Sequence, residues 1–239
     1  MLSAMRETRV LLTELDSSGH AEREQMLLPR LHAGEQSRYR GFSAVARRES
    51  WLAGRALLLE ALGDADPADL RTAASGGIDY AGAPLHLNLS HSGTLLAAAV
   101  SSQPVGIDIE RIRPRAVAAQ AERVFCAGEA RSLATLDDPA RLTRFFQLWT
   151  LKEAAAKAAA LSIWDALGNA CFDLEAGRCR LTSPFPDAPW RFAHAGFDAG
   201  WRLAVAVQGT SLELACRRGG NTQGRRDFAL TDFQELRDY

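Results

Sequence analysis

Val105-Gly106-Ile107-Asp108-Ile109-Glu110 is a short run in which aliphatic and acidic residues alternate. In a strand alternate residues share a face, so Ile107 and Ile109 point to a core while Asp108 and Glu110 point together on the other side. Two carboxylates on one face repel unless a cation lies between them. Gly106 leaves room beside them. A hard divalent ion such as Mg²⁺ suits that pair through oxygen ligands. The competing reading is an edge strand with two solvated acids.

Working outward, this run closes a candidate three-stranded meander over 85–110. Leu85, Leu87 and Leu89 alternate with His86, Asn88 and Ser90. Ser92-Gly93 turns the chain, Thr94–Ser101 is an apolar strand, and Gln103-Pro104 turns it again. A second meander is expected over Trp190–Phe197, Trp201–Gln208 and Ser211–Arg217, with turns at 198–200 and 208–210. A first strand is expected over 8–15. Helical patterning covers 21–31, 43–62 with Gly63 at its end, 116–134, and a longer stretch from Asp138-Pro139 to about Ala160.

Helical material followed by three short strands therefore occurs twice, a weak internal repeat. The expected fold class is α+β: two similar lobes, each a small antiparallel sheet on a long helix, with a ligand cleft between them. The lobes are expected at 1–112 and 113–218, followed by a tail at 219–239. The Gly- and Arg-rich start of that tail is expected to be mobile, with Phe228–Leu236 docking back.

Composition narrows the function classes. A formal net charge of -1 gives no global attraction to nucleic acid, so any phosphate must be held by local Arg and Lys. No apolar run reaches membrane-span length, and the N-terminus carries charges before any apolar run, unlike a signal peptide. A cytoplasmic location is expected. The cysteines at 126, 171, 179 and 216 lack metal-site spacing, and reduced thiols are the simpler expectation.

The next informative run is Trp149-Thr150-Leu151-Lys152-Glu153-Ala154-Ala155-Ala156-Lys157. On a helix Trp149, Glu153 and Lys157 form one stripe. An exposed Glu–Lys pair stabilises a helix by only about 0.3–0.5 kcal/mol and is the plain alternative. The large apolar Trp149 on the same stripe argues that it faces protein or ligand. Glu153 is then a metal ligand or general base, and Lys157 a phosphate contact. A third run, Asn88-Leu89-Ser90-His91-Ser92-Gly93, ends a strand. Ser90 and His91 either meet a phosphate or ribose or serve turn chemistry. As strand neighbours they face opposite ways, which argues against a nucleophilic Ser–His pair. Among the early arginines, Arg48 and Arg55 are the candidates for a nucleotide phosphate, against a solvated surface for the rest.

Together these runs resemble the 4′-phosphopantetheinyl transferase superfamily, in its larger single-chain class. The family pattern has an N-x-S-H-S-G turn, a G-I-D-I-E strand and a W-x-x-K-E-x-x-x-K helix, matched by Asn88–Gly93, Gly106–Glu110 and Trp149–Lys157 in that order. Gly54-Arg55 and the leucines after it resemble the family's early helix. The resemblance implies a pseudo-twofold pair of lobes with coenzyme A between them, and Mg²⁺ held by Asp108, Glu110 and Glu153. It implies Lys157 on the phosphates, with Ser90 and His91 near the 3′-phosphate. It further implies that a carrier-protein serine attacks the β-phosphorus, 3′,5′-ADP leaves, and Glu153 or a metal-held water takes the proton. On this reading Glu153, Lys157 and His91 are catalytic, and Arg48, Arg55, Ser90, His91 and Lys157 bind coenzyme A.

The implied partner is an apo acyl or peptidyl carrier protein, with an acidic surface that Arg111, Arg113 and Arg115 would meet unless they form a solvated linker. A monomer suffices, and neither nucleic acid nor membrane is required. Two departures stand out: Gly82-Ala83-Pro84 lacks the family's lysine, and Ala158-Ala159-Ala160-Leu161 lacks the glycines that follow the helix lysine. Competing classes are a coenzyme A or carrier-binding protein without chemistry and a metal-dependent phosphohydrolase.

Overall fold

Two six-stranded sheets organise the chain, and the computed structural model describes residues 7–63, 65–74, 76–197, 200–218 and 234–238. Described residues up to 103, with 213–218, form one unit; 104–212, with 234–238, form the other.

The first unit opens with strand β1 (Thr8–Glu14), helices α1 (His20–Met26) and α2 (Ala33–Arg40), and the long helix α3 (Val45–Leu62). Gly63 ends α3 with φ at +82°, a backbone conformation that glycine adopts without a Cβ penalty. Strands β2 (Leu70–Thr72), β3 (Ile78–Tyr80), β4 (His86–Ser92) and β5 (Leu95–Ser101) follow. Leu57, Leu58, Ala61 and Leu62 of α3 bury against Leu11, Leu96, Ala98 and Val100, forming the core of this unit.

The second unit holds β6 (Val105–Arg111), α4 (Ala118–Val124), α5 (Ala127–Ala134), the 21-residue α6 (Asp138–Ala158) and α7 (Ile163–Leu167). It continues with β7 (Ala170–Asp173), β8 (Arg178–Leu181), β9 (Trp190–Phe197) and β10 (Trp201–Gln208). Asp137 caps α6 by accepting from the Ala140 N–H at 2.9 Å, and Pro139 sits in the first turn, where a missing N–H costs nothing. Phe145, Phe146, Leu148 and Leu151 of α6 are buried in one core with Phe172, Trp190 and Phe192.

Each unit is thus α+β, with a long helix on a mainly antiparallel sheet. The pairing of the outer strands departs from the expected meanders. The orders are β11-β1-β5-β4-β3-β2, where β11 is Leu214–Arg218, and β6-β10-β9-β12-β8-β7, where β12 is Gln234–Asp238. β6 does not pair with β5. It runs antiparallel to β10, from Trp201↔Arg111 to Val207↔Val105. β11 leaves β10 and lies parallel to β1. The third strand of each expected meander therefore belongs to the other sheet, and the division falls near residue 103 rather than at 112. A short turn allows a hairpin but does not oblige one, and the long-range partner wins.

The expected docking of the tail's end holds over 234–236, and it takes the form of a strand: Leu236 is buried in the second core, and β12 joins β9 and β8. The rest of that tail, 219–233, lies outside the described residues. Cys126 and Cys171 are disulfide-bonded rather than reduced, tying the start of α5 to β7, while Cys179 is a buried free thiol. Among the described residues no helix is long and apolar enough to cross a membrane.

Candidate active site on one strand and one helix

The site in the second unit depends on how closely α6 lies on β6. Gly106, Asp108 and Glu110 share the strand face that α6 covers. A Cβ at Gly106 would lie 2.0 Å from the Ala154 carbonyl oxygen and 2.6 Å from the Ala158 nitrogen. No side chain fits there, so the glycine lets the helix backbone rest on the strand. Ile107 and Ile109 face the other way and are buried, as the alternation predicts.

That contact brings the acidic strand to the helix stripe. The Lys157 ammonium donates to Asp108 Oδ1 at 2.7 Å and to the Ile107 carbonyl at 3.1 Å. Asp108 is buried, so this is a charge-assisted bond in a low-dielectric setting. Burial pushes the Glu153 carboxyl above the usual carboxylate range, Asp108 and Glu110 push it further, and Lys157 opposes them. Glu153 therefore lies within the field of both strand carboxylates. Glu110 also has Arg113 at 3.8 Å, an exposed contact of little energetic weight. Trp149, one turn before Glu153, is half-buried and stacks on Phe145 at 5.9 Å, which anchors the stripe in the core. Among the described residues no group of three or more His, Cys, Asp or Glu stands where it could together hold a metal ion.

Lys152, left without a role in the sequence reading, is fully buried. Its ammonium lies 2.9 Å from Glu129 Oε2, donates to the Leu167 carbonyl at 2.9 Å, and bonds the Ala170 carbonyl. Glu129 also accepts from the Cys126 and Phe172 N–H groups, at 2.9 and 2.8 Å. Burial pushes the Glu129 carboxyl up and the Lys152 ammonium down, and each opposes the other's shift. The sequence did hold a signal for this. Leu148 and Ala156, four residues either side of Lys152, mark its helix face as apolar.

The first unit repeats the same arrangement, and there it corrects an expectation. Arg55 of α3 is buried rather than open to a nucleotide. Its Nε donates to Glu35 Oε2 at 2.9 Å and its Nη2 to Thr72 Oγ1 at 2.8 Å, and it lies 4.3 Å over the Trp51 ring. Glu35 Oε1 accepts the Thr72 N–H at 2.8 Å, as Glu129 accepts that of Phe172. Burial alone would raise the Glu35 carboxyl, but its bonds with Thr72 and Arg55 leave it lowered. Arg48 is half-buried on α3. Ser90 is buried and His91 exposed on β4, facing opposite ways as strand neighbours must.

Comparison with known proteins bears on these same elements. The family model for the 4′-phosphopantetheinyl transferase superfamily matches residues 104–206, from just before β6 into β10. A 4′-phosphopantetheinyl transferase of Bacillus subtilis is 30% identical over 155 residues, 61% of this chain and 67% of that protein. This chain belongs to the 4′-phosphopantetheinyl transferase superfamily. Other members align over shorter stretches. The transferase AcpT of Salmonella typhimurium is 42% identical over 49% of this chain and 62% of its own length. The transferase psf-1 of Bacillus pumilus is 37% identical over 52% and 53% respectively. The chain thus spans only about half to three-fifths of the length of these two family members.

Proposed function

We propose that this chain transfers the 4′-phosphopantetheine group of coenzyme A to a serine of an apo acyl or peptidyl carrier protein, releasing 3′,5′-ADP. One observation carries the reading. The Lys157 ammonium of α6 bonds Asp108 of β6 at 2.7 Å, and the charges of Asp108 and Glu110 both push the Glu153 carboxyl up. Family membership supports the same chemistry.

Three carboxylates against one ammonium leave a local excess of negative charge, and carboxylate oxygens are the donors a hard dication takes. The three are not gathered as a metal cluster in this structure, with Lys157 on Asp108, so the ion would have to draw them together. Asp108, Glu110 and Glu153 would hold Mg²⁺. Bound there, the ion supplies charge neutralisation to a pyrophosphate. Lys157 stabilises negative charge building on the phosphate oxygens. Glu153 accepts the proton of the serine hydroxyl as its oxygen attacks the β-phosphorus, and the bond from that phosphorus to the 3′,5′-ADP oxygen breaks. The half-buried carboxyl, raised first by burial and then by Asp108 and Glu110, suits a base better than a solvated one does. Trp149 keeps the stripe on the core, so Glu153 and Lys157 move as one rigid element.

His91, Ser90 and Arg48 are proposed for the nucleotide end; Arg55 is withdrawn, because its guanidinium is already committed. All proposed ligands come from one chain, so a monomer is proposed. The cytoplasm is proposed because coenzyme A and apo carriers meet there. Incubating the protein with apo carrier, coenzyme A and Mg²⁺ tests the reading by mass spectrometry of the carrier. A phosphopantetheine mass gain is expected. Absence of any gain across acyl and peptidyl carriers would favour a binder without chemistry, and phosphate release without carrier would favour a hydrolase.

A further inference from the structure

We infer that Lys152 and Glu129 form a positioning clamp that sets the rotation of α6 and thereby aims Glu153. The inference rests on the role proposed for Glu153. Its own support is a complete set of buried bonds. The ammonium has three N–H donors and three oxygen acceptors: Glu129, the Leu167 carbonyl and the Ala170 carbonyl. The carboxylate holds the ammonium and two backbone N–H groups, those of Cys126 and Phe172. One side chain of α6 is thus fixed from three directions, by α5, by the end of α7 and by β7.

Energy gives little reason for such a pair. Replacing a buried ion pair with apolar groups of similar volume is often neutral or stabilising. What the pair supplies is direction. The second half of α6 meets β6 through Ala154, Ala158 and Gly106, a contact of small groups. Small groups allow close approach but interlock weakly, so the contact sets distance better than rotation. A rotation of about 20° would carry a side-chain tip by about 2 Å. Misplacement of reacting groups by about 1 Å can cost two orders of magnitude in rate. Glu153 follows Lys152 directly, so the clamp acts at the residue where rotation matters.

The first unit shows the same device as a general means of fixing a long helix. Arg55 of α3 is tied to Glu35 of α2, which takes the Thr72 N–H of β2. Lys152 of α6 is tied to Glu129 of α5, which takes the Phe172 N–H of β7. In both cases the strand is the outermost of its sheet. In the second unit the clamped residue adjoins the proposed base.

The test compares the full chain with a Glu129→Leu/Lys152→Met double variant, with Glu129→Gln alone, and with Glu153→Gln. Readouts are steady-state transfer, coenzyme A binding by calorimetry, and thermal unfolding. The double variant is expected to unfold below the parent, because the Cys126 and Phe172 N–H groups and the Leu167 and Ala170 carbonyls each lose a buried partner, so transfer is read on the folded fraction. Its kcat should fall about 10- to 100-fold. KM and calorimetric affinity for coenzyme A should change less than about threefold, because positioning of the base affects the reacting geometry rather than ground-state binding. A double variant that is folded and keeps parental kcat, while Glu153→Gln is inactive, overturns the clamp and leaves the transferase reading standing. Equal losses in kcat and coenzyme A affinity would also overturn it, as general loosening of the site. If the double variant unfolds below assay temperature, Glu129→Gln, which keeps the side-chain volume and an acceptor for the ammonium, is judged by the same criterion, and failure of both to fold would make the pair a stability element only. A parent without transfer activity removes the transferase reading and the clamp's role together.

Discussion

Gly106 lies under the carbonyl of Ala154 so closely that a Cβ would come within 2.0 Å of its oxygen. The atom it would strike is backbone and cannot swing aside. Gly106→Ala is therefore expected to push α6 off β6, costing on the order of 3 kcal/mol of stability. It should also separate Glu153 from Asp108, so transfer should fall more than stability alone explains. Chemical denaturation and kcat on the folded fraction check this. A variant of parental stability and activity would mean that the helix and strand do not need this contact.

Glu153→Gln keeps the size of the side chain and removes its charge. The carboxyl is crowded by Asp108 and Glu110, so losing its charge should leave stability unchanged or slightly raised. Transfer should drop by about 10²-fold or more, the usual weight of a general base. Separately, EDTA should stop the parent's reaction and excess Mg²⁺ restore it. Undiminished turnover in EDTA would remove the metal from the proposed mechanism.

The alternation of Val105–Glu110 and the spacing of Trp149, Glu153 and Lys157 were both legible, because each depends on local periodicity. That the two meet was legible only through family resemblance. The partner of β6 was not legible: β10 is about a hundred residues away, and a nearby turn made β5 look the simpler neighbour. The same bias misassigned β11. α2 and the short strands β2, β3, β7 and β8 went unread, being too brief to show a period. Arg55 and Lys152 illustrate a different gap. Whether a cation on a helix meets solvent or a buried carboxylate depends on another element, here α2 or α5, whose approach no local pattern encodes.

The disulfide between Cys126 and Cys171 closes a loop over a sequence separation of 45 residues. Cross-links of that span stabilise by about 2–4 kcal/mol through restriction of the unfolded chain. A Cys126→Ser/Cys171→Ser variant should lose about that much in denaturant unfolding. Glu129 takes the N–H of Cys126 and that of Phe172, the residue after Cys171, so these bonds should persist in the variant and its folded state should remain native. Unchanged stability on removing both sulfurs would show the bridge does not form in solution.

Ala160 ends α6 with φ at +54°, the left-handed region that costs a non-glycine residue about 1 kcal/mol. The Leu161 N–H reaches back to the Ala156 carbonyl at 2.8 Å, the bond of a Schellman cap that ordinarily uses glycine. An alanine thus stands in a turn that glycine would adopt without strain. Ala160→Gly is expected to stabilise by about 0.5–1 kcal/mol, the relief of strain exceeding the entropy glycine adds to the unfolded chain. Destabilisation instead would show that Ala160 relaxes out of this conformation.

His194 on β9 is buried, with Nε2 lacking a hydrogen-bond partner among the described residues. Burial first, then the charges of Arg144 and Arg202, push its pKa down to about 4 from 6.5. Above pH 6.5 the imidazole is neutral whether the chain is folded or not. Between 6.5 and 4 the unfolded chain binds a proton that the folded one excludes, so stability falls as pH falls through that window. At about 1.4 kcal/mol per pH unit, the loss from this group by pH 5 is about 2 kcal/mol. His194→Leu removes the titration while filling the site with apolar volume. Urea unfolding at pH 7 and pH 5 should therefore show a larger drop for the parent than for the variant, by about that amount. Equal drops would mean that the folded protein protonates His194 as readily as the unfolded chain does, by opening the site or by offering Nε2 an acceptor.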